Sequence, residues 1–172
     1  FLTQPSNLQK GKFLERVYIS PEFKNSGLSI EVLQPVIAKN ISDSEVLEMG
    51  KPQNYFRNSL RMALEASGLK VLALSGKAQG SDLVLEVWIT ELNPGSRVKR
   101  WFFGELGGGK SKVQVEGRLV DTSGKSLVEF ADRRAGSAMG GLDITGGDSK
   151  ELIQSDLNGI AQSIAKTIDS RG

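Results

Sequence analysis

The sequence predicts an α+β fold, a largely antiparallel β-sheet with two main amphipathic helices packed on one face. Three observations predict it. Residues 82–90 and 112–121 alternate apolar and polar side chains, and 126–134 returns as a partner strand; a period of two marks a half-buried strand. Residues 55–67 and 151–168 instead repeat apolar side chains every three or four positions, which gives a helix one dry stripe. The strands follow one another in sequence, a pattern that favours α+β.

Residues 1–16 carry Pro5, Ser6, Asn7 and Gly11 with no clean period and read as an extended N-terminal lead-in. Residues 17–172 then form a single α+β domain, since a chain of 172 residues has room for one proper core. Val17-Tyr18-Ile19 is a short strand ended by Ser20-Pro21. Leu28 to Gln34 alternates until Pro35, which places that residue at an edge or bulge before Val36 and Ile37. Ser42 and Glu45 have the spacing of a capping box, with Gly50 as a stop. The first main helix opens near Pro52 and Asn54 and runs to Ser67, with Gly68 as its C-terminal cap. Phe56, Leu60, Ala63 and Leu64 form its inner stripe; Arg61 and Glu65 lie one turn apart outside it.

Leu69 to Leu74 is a strand candidate. In the next strand Leu83, Leu85, Val87 and Ile89 share one face, and Val84, Glu86, Trp88 and Thr90 the other. Val113, Val115, Gly117 and Leu119 repeat the inner face, opposite Gln114, Glu116 and Arg118. Asp121 to Lys125 is a hairpin connection in which Gly124 is free to take positive φ. A glycine-rich tract, 136–147, reads as a surface loop. Asp148 and Glu151 resemble another capping box ahead of the last helix. Ile153, Leu157, Ile160, Ile164 and Ile168 are that helix's stripe, with Ala161 and Ala165 allowing close approach.

Composition narrows the chemistry. Without cysteine, no disulfide, thiolate nucleophile or cysteine metal cluster can form within these residues. Without histidine, the commonest general base is missing. Both points lean away from an enzyme without excluding one. A formal charge of +2 gives no broad basic field to attract nucleic acid. No apolar run is long enough to span a bilayer as a helix. The chain starts at Phe1, as a trimmed or mature product would.

Two motifs compete for a function. Gly104-Glu-Leu-Gly-Gly-Gly-Lys110-Ser111 spells a phosphate-binding P-loop, but such a loop needs a helix straight after it to present backbone amides to phosphate. The residues from Lys112 onward alternate like a strand. The glycines therefore read as the tip of a long hairpin, and no cofactor is assigned. Just before them, Arg97, Lys99 and Arg100 lie beside Trp101, Phe102 and Phe103. This segment is either an ordinary strand with solvated cations or a docking surface for a protein or an anionic membrane. Single-stranded nucleic acid is the third reading, opposed by the low net charge.

The block from Thr90 to Trp101, the glycine loop, and Val113 to Lys125 resemble a family of bacterial envelope lipoproteins. That family is known as a domain of unknown function (DUF4410-like). Its pattern has a proline–glycine turn, Arg-Trp, a glycine-rich loop, and a strand ending in Asp-x-x-Gly-Lys, here Asn93 to Gly95, Arg100-Trp101 and Asp121 to Lys125. The resemblance implies an exported protein on the periplasmic side of the envelope. It implies a lipid anchor to the outer membrane on a cysteine upstream of Phe1, and action through partners. The expectation is a non-catalytic envelope lipoprotein domain. Arg97, Lys99, Arg100, Trp101, Phe102 and Phe103 would contact an envelope protein or an anionic membrane surface, with no nucleic acid, metal or cofactor. Self-association is left open. The alternative is a nucleotide-binding protein or enzyme using Gly104–Ser111.

Overall fold

A computed structural model describes residues 2–3, 5–41, 46, 50–72, 80–93, 112–135 and 149–170. Among them, eight strands form one sheet: β1 (Gln9–Lys10), β2 (Arg16–Ile19), β3 (Ser29–Val32), β4 (Val36–Ile37), β5 (Lys70–Val71), β6 (Leu83–Asn93), β7 (Lys112–Asp121) and β8 (Ser126–Ala135). The order is β1-β2-β8-β7-β6-β3-β5, with β4 also on β6. Helices α1 (Pro52–Ala66) and α2 (Ser149–Asp169) pack on each other and on one face of the sheet. The α+β expectation is borne out.

The long meander β6-β7-β8 is antiparallel throughout, and its faces are those the alternation predicts. Leu85, Ile89, Val113, Val115 and Leu119 are fully buried, while Glu86, Trp88, Gln114, Glu116 and Arg118 stay partly exposed. On that wetter face Arg118 pairs with Glu86 at 2.5 Å and lies over the Trp88 ring, 5.7 Å from its centroid. From α2, Ile153, Leu157, Ile160, Ile164 and Ile168 close the inner face. The alanines Ala161 and Ala165 are buried with them.

Gly117 is a strand glycine with a packing reason. It is paired with Phe130, and a Cβ built on it would lie 2.3 Å from Phe130 Cζ. The missing side chain is the space the Phe130 ring fills. At the β7–β8 turn, Gly124 has φ +83°. The Asp121 carboxylate accepts from Ser123 N, Ser123 Oγ and Lys125 N at 2.6–3.0 Å, which holds its acid below the usual carboxylate range.

Three features depart from the simple meander. First, β3 and β4 are separate and both run parallel to β6. The chain between them and β6 carries α1, the long crossover that a parallel pair requires. Pro35 lies in the break, and Arg57 of α1 donates from Nε to Val32 O at 2.9 Å there. Second, Leu69–Leu74 contributes only Lys70–Val71 as strand, and residues 73–74 lie outside the described residues. Third, the described part of the lead-in, residues 2–3 and 5–16, is tied to the sheet. β1 pairs with β2, Leu14 is 2% exposed, and Thr3 donates through its N–H and hydroxyl to the fully buried Glu129.

Helix α1 begins at Pro52, with Lys51 as N-cap and no side-chain cap bond, and stops at Gly68 in the left-handed region, φ +80°. Arg61 and Glu65 pair at 3.8 Å as their spacing predicts. The proposed capping residues Ser42, Glu45 and Asp148 lie outside the described residues.

Candidate functional site

The three long strands end in register. Asn93 is paired with Lys112, and Lys112 with Ala135. Residues 94–111 therefore join two neighbouring strand ends, and residues 136–148 leave from the third strand at the same end of the sheet. The strands are paired along their length, with register shifts between Ile89 and Glu91 and between Leu119 and Val120. Glu91 pairs with Arg133 at 2.9 Å across this end. The sequence-identified residues Arg97, Lys99, Arg100, Trp101, Phe102 and Phe103, and the Gly104–Ser111 loop, lie outside the described residues. What is placed is the pair of strand ends that bracket them.

That placement weighs against a P-loop. β7 is extended from Lys112 to Asp121, so the chain that follows the glycines is a strand and not the helix whose amides a P-loop presents to phosphate. Asp121, which could pass for the aspartate of a metal–phosphate site, is engaged by its own turn instead. Among the described residues, no group of three or more Asp or Glu side chains could hold a metal ion.

A polar cluster that the sequence reading missed sits next to this end, between β8 and α2. Phe130, Asp132 and Arg134 point from β8 toward the helices, so charge replaces apolar bulk where the strand outruns the core. Arg134 Nε lies 3.3 Å from Asp132 Oδ2, and its Nη2 donates to Ser163 Oγ at 2.8 Å. Asp132 also accepts from Glu15 N at 3.0 Å. The guanidinium lies against the helix at Gly159, where a Cβ would be 2.2 Å from Nη1. Gly159, a weak point in a helix on propensity alone, makes room for Arg134. The signal available in the sequence was a glycine inside an otherwise regular stripe. Arg133, Arg134, Asp156, Gly159, Ser163 and Lys166 border a cleft of about 600 Å³ here. A second hollow of about 720 Å³ lies between residues 34–41 and the start of α1.

A family model described as "Domain of unknown function (DUF4410)" matches residues 17–140. Among solved structures, one similar chain is an uncharacterized protein, 16% identical, with 85% of this chain and 96% of that chain covered at a TM-score of 0.50. Another comes from Caulobacter crescentus CB15 and is named as a candidate lipoprotein. It is 12% identical, with 82% of this chain and 88% of that chain covered at a TM-score of 0.48. At these identities the likeness is one of fold. No curated protein matches the chain.

Proposed function

Because the chain belongs to the DUF4410 family, we propose that it is a non-catalytic domain of a cell-envelope lipoprotein, and that Arg97, Lys99, Arg100, Trp101, Phe102 and Phe103 are its contact surface. The observation that carries this reading is the register of Asn93 with Lys112. It sets side by side the two strand ends that the chain's densest aromatic and basic segment joins in sequence. Trp, Phe and Arg are the side chains that concentrate binding energy at protein interfaces. They also suit the boundary of an anionic membrane. The envelope address, with a lipid on a cysteine upstream of Phe1 and the domain on the periplasmic side of the outer membrane, is supported by the resemblance of residues 90–125 to envelope lipoproteins.

Two paired measurements test the reading. Trp101→Ala should weaken sedimentation with phosphatidylglycerol vesicles or binding to an envelope protein at least tenfold, about 1.4 kcal/mol, while the melting temperature stays unchanged. ATP with Mg²⁺ should leave that melting temperature unmoved. A rise with ATP that disappears in Lys110→Ala would replace this function with nucleotide binding.

A further inference from the structure

We propose that Asp156, Arg134 and Asp132 form a pH-sensitive latch that sets how tightly the first half of α2 is held to β8. The inference rests on the described residues alone and is independent of the contact surface above. Arg134 is the strut of the latch. Its Nε meets Asp132 at 3.3 Å and its Nη2 meets Ser163 at 2.8 Å, so one guanidinium ties the strand to the helix. Asp132 is 6% exposed and fixed by Glu15 N, and it cannot swing away to release its partner.

Asp156 lies one helical turn before Gly159, on the rim of the same cleft. Its Oδ2 is closed off from solvent and has no hydrogen-bond partner. A carboxylate in that position carries a charge with poor solvation and one nearby cation already shared. Two carboxylates thus compete for one guanidinium. Asp156 is half-buried, and an anion with one occluded, unbonded oxygen is costly enough that the group responds by holding its proton. Burial pushes the Asp156 acid up to about 6, with the Arg134 charge acting in the opposite direction. Arg134 is the charge that acts on Asp156 directly; Arg133 of β8 and Lys166 of α2 border the same cleft, and Asp132 of β8 pairs with Arg134. Arg133 is held on the other side by Glu91.

The sign follows from linkage. The folded state holds the Asp156 proton more tightly than the unfolded chain, whose acid titrates near the ordinary 3.8. Folded stability from this group is therefore greatest below pH 4 and falls as pH rises toward and through about 6. Once ionised, Asp156 either draws Arg134 from Asp132 and Ser163 or loosens its own helical turn. In both cases the first half of α2 opens more often.

Amide hydrogen exchange of the whole chain at pH 5 and pH 7.5 tests the latch, with rates corrected for intrinsic exchange. Protection of the amides from Ile153 to Ile160 should fall by about tenfold, one pKa unit's worth of free energy, in the wild type. In the isosteric Asp156→Asn it should stay constant. A carbon-13 titration placing Asp156 in the ordinary carboxylate range, or equal pH dependence in wild type and variant, would overturn the proposal.

Discussion

Gly117→Val should cost the protein most of its stability, and Gly117→Ala should cost about 1–3 kcal/mol, the usual penalty for overpacking a filled core. A side chain here has nowhere to go. Its Cβ would sit 2.3 and 2.8 Å from two carbons of the Phe130 ring and 2.9 Å from the Glu86 carbonyl oxygen. Phe130 is fully buried in the core cluster that also holds the α2 stripe, and the Glu86 oxygen belongs to the β6 backbone. Neither neighbour can retreat cheaply. Chemical denaturation measures the loss, and Phe130→Leu in the Gly117→Ala background should restore part of it by vacating the ring's volume. Wild-type stability in Gly117→Ala would show that the ring does not occupy this space.

Ile160→Ala should lose about 2–5 kcal/mol, the range for a buried aliphatic side chain cut back to a methyl. Ile160 is fully buried at the centre of the α2 stripe, between Leu157 and Ile164. It belongs to the same core cluster as Leu85, Val115 and Leu119 of the strand layer. Met62 of α1, 70% exposed, is the control: Met62→Ala should shift the denaturation midpoint within the error of the measurement, as ordinary surface substitutions do. Equal losses at both positions would contradict the assignment of the core face.

The two stretches that govern these results were legible because a single period describes each. Alternation from Leu83 and from Lys112 gave both faces of the meander, and the spacing of Ile153 to Ile168 gave the buried stripe of α2. What could not be read was anything that depends on a partner distant in sequence. Glu129 and Asp132 are polar residues at buried strand positions. Their partners Thr3 and Glu15 lie more than a hundred residues away and are named only once the fold is known. By propensity alone Gly117 and Gly159 weaken strand and helix. Each is instead the space taken by a long side chain, Phe130 in one case and Arg134 in the other. The parallel placement of β3 and β4 escaped for a similar reason. Val32 and Ile37 alternate the same way whichever direction their neighbour runs, and only the α1 crossover sets that direction. Of the candidate surface, the bracketing strand ends were legible and are placed; residues 97–103 were identified by composition alone.

Site-specific photo-crosslinking in cells that make the protein natively tests the central claim most directly. A crosslinker at Phe102 should give a defined protein or phospholipid adduct that disappears when Arg97, Lys99 and Arg100 are all changed to Ser, while the same crosslinker at Met62 gives none. Adducts that form equally from Met62, or that persist unchanged in the triple variant, would contradict a contact surface in the segment that joins β6 to β7.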